Sequence, residues 1–250
     1  MLLDAHSHIF EIEDHTVRDA ILTEASKLGS GRIFVNSIRP SDWSGLSSLA
    51  HTYSSITPFY GIHPWYAHLA KGDWVKDLVK HLEHANACVG EIGLDKKRKG
   101  PDFEMQKNIF EEQVNIAVRM RRPFNIHCVD AWGVLLEILR SKKIETPFII
   151  HFFSGSKEVL SELLKLGAYI SYSGRSLEGP SERPKEALVD TPVDRILIET
   201  DFPYIGKESP TSVDYFTYLE KTYALASQIR GINRSILESA IWENGSVFTN

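Results

Sequence analysis

Eight times along this chain a short β-rich run is followed by an amphipathic helical stretch, and that alternation restricts the fold to α/β architectures. The strand candidates are Leu2 to His8, Arg32 to Ser37, Thr57 to Ile62, Cys88 to Leu94, Phe124 to Cys128, Phe148 to Phe153, Ala168 to Ser173 and Arg195 to Thr200. Helices are expected after each, from Val17 to Leu28 for the first to Val213 to Arg230 for the eighth. One more, Arg234 to Trp242, closes the chain. Ser41 and Asp73 stand where N-caps are expected, and Gly29, Gly167 and Gly231 where helix C-termini fall. Eight strands alternating with eight helices predict a TIM (β/α)8 barrel. An open doubly wound sheet shares the alternation. Against it, no Gly-x-Gly-x-x-Gly turn follows the first strand, so a dinucleotide site has no support. No repeat, low-complexity tract or linker divides the chain, and residues 1–250 read as a single barrel domain.

Composition agrees with this. The 250 residues, 42% hydrophobic and 24% charged, match the usual size of such a barrel and a soluble globular class. The net charge of −5 argues against broad electrostatic binding to nucleic acid, though not against a local phosphate site. Cys88 and Cys128 lie inside apolar runs and read as buried free thiols in a reducing compartment. The start Met1-Leu2-Leu3-Asp4 lacks a basic segment followed by a long apolar one, and no apolar run reaches membrane-spanning length. A cytoplasmic location without a membrane partner is the expectation.

The chemistry is carried by polar residues at the ends of the apolar runs. In Asp4-Ala5-His6-Ser7-His8, strand alternation turns His6 and His8 to one face, where two imidazoles can chelate a divalent cation. Taken alone, the pair could equally be two surface histidines. Glu91 lies in Val89-Gly90-Glu91-Ile92-Gly93, sharing a face with Val89 and Gly93. A carboxylate buried there needs a cation or a structural ion pair to offset its desolvation. His127 and His151 occupy equivalent ends of the fifth and sixth runs, and Asp201 follows the eighth. A barrel gathers its active site at these C-terminal strand ends. Six metal-ligand side chains in equivalent places therefore predict a metal centre. A carboxylate such as Asp201 beside it can accept a proton from water.

Taken together, Asp4-Ala5-His6-Ser7-His8, Gly61-Ile62-His63-Pro64, Gly90-Glu91-Ile92-Gly93-Leu94-Asp95, Ile126-His127, His151-Phe152-Phe153-Ser154-Gly155, Gly167-Ala168-Tyr169-Ile170-Ser171 and Glu199-Thr200-Asp201-Phe202-Pro203 resemble the TatD family of metal-dependent hydrolases, within the amidohydrolase-like barrels. The stretches run in order over nearly the whole chain. The resemblance implies two divalent cations, one held by His6, His8, Glu91 and Asp201, the other by Glu91, His127 and His151, with Glu91 bridging. It also implies Mg-dependent nuclease activity acting from a 3′ end, with Asp201 and Glu91 as the catalytic carboxylates. The ligand set suits Zn, Mn, Co or Ni, and its carboxylates also suit Mg.

One departure bears on substrate. Family nucleases often carry an Arg two residues after the fifth-strand His, where this chain has Val129. Lys96, Lys97 and Arg98, in the loop opened by Asp95, either restore a positive charge at the site mouth or form a solvated surface loop. His63, Asp95, Lys96, Lys97 and Arg98 make up the expected substrate-binding set. The expected activity is phosphodiester hydrolysis, with single-stranded DNA or a small phosphoester as substrate. Hydrolysis of a small ester, lactone or amide is the alternative within the same metal chemistry. A barrel kept only as a binding module is a third reading, opposed by the retention of all six ligand candidates.

Overall fold

A computed structural model describes residues 1–27, 31–83, 86–207 and 210–249. Eight strands, β1 (Leu2–Ser7), β2 (Gly31–Asn36), β3 (Ile56–Tyr60), β4 (Cys88–Asp95), β5 (Phe124–Val129), β6 (Phe148–Ile150), β7 (Ala168–Ser173) and β8 (Ile196–Glu199), form one sheet in sequential order. Every ladder is parallel. The helices between and after them are α1 (His15–Lys27), α2 (Trp43–Thr52), α3 (Trp74–Leu82), α4 (Phe103–Met120), α5 (Trp132–Arg140), α6 (Lys157–Lys165), α7 (Gly174–Glu178), α8 (Arg183–Asp190), α9 (Ser212–Arg230) and α10 (Arg234–Ser246). This is the expected (β/α)8 barrel.

The strands fall close to the expected runs, apart from β6. It stops at Ile150: His151 N–H still donates to Ile126 O at 3.1 Å, but Phe152 then takes a left-handed backbone with φ 47°. The short helix α7 was not expected. Neither expected cap acts through its side chain: Ser41 lies within a 3-10 turn, Pro40–Asp42, and the Asp73 carboxylate takes Lys76 Nζ at 3.0 Å instead of a backbone N–H. Gly231 does end α9 in a left-handed conformation, and Gly167 follows α6 with φ 87°. Leu28 and Gly29 lie outside the described residues.

The two ends of the barrel are filled differently. Near the N-terminal ends of the strands, Phe34, Tyr169 and Phe248 interlock, with ring centroids 5.2–5.7 Å apart. Each fully buried phenylalanine contributes about 1.5–3 kcal/mol. Toward the other end the interior turns polar, with Asp4, His6, Asn36, Glu91, Asn125 and Glu199 all buried.

The seam between β8 and β1 closes just beyond β8. Asp201 N–H donates to His6 O at 3.0 Å, and His8 N–H to Phe202 O at 2.7 Å. Beneath these bonds the Asp4 carboxylate accepts from Thr200 N–H (2.9 Å), the Thr200 hydroxyl (2.6 Å) and the Tyr215 hydroxyl (3.1 Å). Burial pushes the Asp4 carboxyl up to about 7 against these bonds. Asp4→Ala would leave two buried hydroxyls without their acceptor. It should lower stability by about 2–4 kcal/mol in urea denaturation, with a smaller loss for Asp4→Asn. A loss below about 1 kcal/mol for Asp4→Ala would show that the seam does not depend on this residue.

Candidate metal centre

Strand alternation brings His6 and His8 to the same side of β1, with their Nε2 atoms 3.1 Å apart. Glu91 reaches them from β4, where the pairing with β5 shifts register between Val89 and Ile92. Two glycines allow the strands to approach there. A Cβ on Gly61 would lie 2.8 Å from the Gly90 carbonyl carbon, and one on Gly90 would lie 2.8 Å from Asn36 Oδ1.

The two oxygens of Glu91 face two sets of imidazoles. Oε2 lies 3.4 Å from His6 Nε2 and 3.2 Å from His8 Nε2. Oε1 lies 2.9 Å from both His127 Nδ1 and His151 Nε2, and 3.3 Å from His63 Nε2. Asp201 Oδ1 stands 3.9 and 3.7 Å from the His6 and His8 nitrogens. Its left-handed backbone, φ 58°, is uncommon outside glycine and turns the carboxylate into the barrel mouth. All six expected ligands are thus brought together at the C-terminal strand ends.

The second nitrogen of each ring decides what the first can do. His8 Nδ1–H donates to Asn36 O (2.8 Å), and His151 Nδ1–H to Glu199 Oε1 (3.3 Å). His127 Nε2–H faces Asp95 Oδ2 at 3.4 Å, and His6 Nδ1 meets the Asn125 side-chain amide at 3.1 Å. This leaves His8 Nε2, His151 Nε2 and His127 Nδ1 facing the centre. There, against the effect of burial, Glu91 and the other nearby carboxylates hold all three imidazoles above their ordinary pKa, so a cation binding there would displace a proton. His6 and His63 differ. Each accepts an N–H at Nδ1, His6 from the Asn125 side-chain amide at 3.1 Å and His63 from Trp65 N–H at 3.2 Å, so each carries its proton on Nε2, facing Glu91.

Electrostatics follow from this crowding. Burial alone would raise the Glu91 carboxyl pKa, but His63, His151, His6 and the His127 hydrogen bond outweigh it and hold the group well below the ordinary range. Burial pushes His6 down to about 3 and His63 down to about 4. It pushes Asp201 up to about 6. The donor chemistry fits divalent cations. Ligands about 2.0–2.2 Å from a common ion stand roughly 3.0–3.5 Å from one another. The contacts to Glu91 span 2.9–3.4 Å. Among the described residues, three triads have ligand atoms within 4.8 Å of one another: His6, Glu91 and His151; His6, His8 and Asp201; His63, Glu91 and His127.

Above the centre lies a cavity of about 210 Å³, walled by Ile38, Trp65, Tyr66, Tyr204 and Arg175 besides the polar residues. His63 lines it as expected and also touches Glu91. Asp95 was expected to meet substrate. It is instead buried, its oxygens taking Trp65 Nε1–H (2.6 Å), His127 and the Lys97 and Arg98 amides. Its role in the structure is to orient a histidine and a tryptophan. Lys96, Lys97 and Arg98 are exposed and outside the cavity lining, with Arg98 lying 3.7 Å over the Trp65 ring and Lys96 Nζ 4.6 Å over Phe103. Arg175 and Tyr204 were not among the expected substrate-binding set, although the segment from Tyr204 was expected to reshape one wall. Their signal was position: Arg175 follows β7 by two residues and Tyr204 follows β8 within the same short loop as Asp201.

Comparison with known proteins agrees with this geometry. The chain is 30% identical over 209 residues to YabD of Bacillus subtilis (strain 168), an uncharacterized metal-dependent hydrolase, covering 82% of this chain and 81% of the relative. It is 33% identical over 148 residues to the 3′-5′ ssDNA/RNA exonuclease TatD of Edwardsiella piscicida, covering 58% and 57%. The crystal structure of YjjV, a TatD homologue from Escherichia coli K12, superposes with a TM-score of 0.88 at 24% identity, covering 100% of this chain and 98% of that one, and shares the fold. The family model described as TatD related DNase matches residues 3–249, and the chain belongs to that family.

Proposed function

We propose that this protein is a metal-dependent phosphodiesterase that removes nucleotides from the ends of single-stranded DNA or RNA. The observation that carries this reading is the division of Glu91, with Oε2 serving His6 and His8 and Oε1 serving His127 and His151. His6, His8, Glu91 and Asp201 would hold one divalent cation, and Glu91, His127 and His151 a second. Bound there, such a pair supplies Lewis-acid polarisation of a phosphoryl group and acidification of water. Zn, Mn, Co and Ni suit the mixed nitrogen and oxygen donors, and Mg suits the carboxylates.

The chain's own residues supply the rest. Asp201 lines the cavity and keeps partial solvent access, with 19% of its side chain exposed, so it can take a proton from the attacking water and pass it to the leaving oxygen. His63 donates its Nε2 proton toward the Glu91 side of the cavity and is not a ligand in this scheme. Asp95, Glu199 and Asn36 hold His127, His151 and His8 in orientation. A cavity of about 210 Å³ can admit part of a chain end but not a duplex. Support for a nucleic-acid substrate comes from relatives named as 3′-5′ ssDNA/RNA exonucleases and as a deoxyribonuclease. The buried thiols Cys88 and Cys128 suit a reducing compartment such as the cytoplasm.

The direct test is cleavage of end-labelled single-stranded DNA and RNA after reconstitution with each metal. Ladders shortening from one end are expected, and no cleavage with any of the five metals would overturn the reading. Elemental analysis separates the ligands. Glu91→Ala should lose more bound metal than any single His variant, because both ions would share that carboxylate. His63→Gln should keep the metal content of the wild type while His127→Gln loses it. Equal losses at 63 and 127 would make His63 a ligand.

Asp201→Asn should retain the fold and much of the metal but lower turnover by roughly 10²-fold or more, since an amide cannot accept the proton. Turnover near wild type would move the base elsewhere. Chelation should lower the Tm, and restoring the active metal should return it, because an ion that binds only the folded state stabilises it by mass action.

A further inference from the structure

We propose that Arg175 grips the anionic phosphoryl group of the substrate at the mouth of the metal centre, the task expected of the loop at Lys96 to Arg98. This role presupposes the phosphodiesterase reading and narrows its substrates to those carrying a negative charge at the reacting group.

Position is the first support. Among the described residues, Arg175 is the one guanidinium or ammonium group lining the cavity that holds Glu91 and Asp201. Three other basic side chains nearby are engaged, and the exposed Lys97 lies outside the cavity lining. Arg39 pairs with Glu11 at 2.8 Å and Asp42 at 3.3 Å, Arg98 lies on Trp65, and Lys96 lies over Phe103. Val129, at the end of β5, offers no charge.

Arg175 is held in a different way. Its Nη1–H donates to the Tyr204 carbonyl at 3.3 Å, a neutral acceptor on the loop that carries Asp201. Among the described residues no carboxylate lies within 4.0 Å of its guanidinium. The planar fork therefore keeps N–H groups for the two free oxygens of a phosphodiester, which a neutral ester lacks.

The backbone beneath it is built for this placement. The Ser173 hydroxyl accepts Ser176 N–H at the start of α7, and Arg175 N–H donates to the Tyr218 hydroxyl at 2.6 Å. A Cβ on Gly174 would lie 2.6 Å from Thr222 Oγ1, so glycine at 174 lets α7 press against α9. That contact sets residue 175 at the rim.

The test compares wild type with Arg175→Ala, Arg175→Lys and Lys97→Ala, each loaded with Mn. The probes are bis(p-nitrophenyl) phosphate, a singly charged diester, for kinetics and inorganic phosphate for calorimetric binding, with metal content checked by elemental analysis. Arg175→Ala should raise KM and the phosphate Kd about 10- to 100-fold at wild-type metal content. Arg175→Lys should recover part of that, since the charge stays but the fork is lost. Lys97→Ala should raise KM less than Arg175→Ala does. Unchanged KM and phosphate Kd in Arg175→Ala, with wild type cleaving the diester, would overturn the role of Arg175 and leave the phosphodiesterase reading standing. Conversely, if wild type cleaves no diester with Mn, Mg, Zn, Ni or Co while phosphate binding still weakens in Arg175→Ala, the anion site stands and the phosphodiesterase reading falls.

Discussion

A carboxylate buried at the centre of the barrel mouth, with 2% of its surface exposed, sets the terms for everything around it. Ionised Glu91 cannot remain there without compensating positive charge, because a lone buried charge costs several kcal/mol or more. Five imidazoles crowd its two oxygens, drawn from β1, from the ends of β3 and β5, and from just beyond β6. Those rings cannot all be protonated at once, since like charges at such separations repel. Divalent cations would meet the same demand with fewer charges to place. The site is polar all the way down, from Glu91 to Asp4 and Asn125.

Stability and chemistry use opposite ends of one barrel. Aromatic packing around Phe248 fills the N-terminal end, while Asp4 ties β1 to the residues after β8 beneath the metal centre. The Asp4 clamp lies two residues from His6, and Thr200 adjoins Asp201. A change in the seam therefore reaches the ligands directly. Gly61 and Gly90 make a second such link, since strand approach and Glu91 placement depend on the same missing side chains.

The rim is laced by polar contacts between loops that are distant in sequence. Glu11, after β1, accepts from the Tyr204 hydroxyl and from Arg39. Arg39 also pairs with Asp42 and lies 5.3 Å over the Tyr66 ring. These contacts join the loops after β1, β2, β3 and β8, and the Arg175 bond to Tyr204 adds the loop after β7. They hold the cavity walls in place and neutralise Arg39, which leaves Arg175 as the cation facing the site.

The alternation of eight runs and helices was enough to predict the barrel, and polar residues ending apolar runs were enough to find His6, His8, Glu91, His127, His151 and Asp201. Both signals are local: periodicity tells which way a side chain points, and an imidazole or carboxylate at a strand end has few other uses. What the sequence could not decide depends on contacts across the barrel. Asp95 proved to be a support for His127 and Trp65 because residues 32 and 30 positions away meet its oxygens. The proton on His63 is placed by a backbone amide within a turn, and Arg175 faces the cavity because α9 and the Tyr204 loop pin the helix beneath it. Residue type and spacing determined which strands carry the candidate metal donors. Only the tertiary structure decided which loop supplies the neighbouring cation, since a loop's direction is set by the partners it packs against and not by its own pattern of residues.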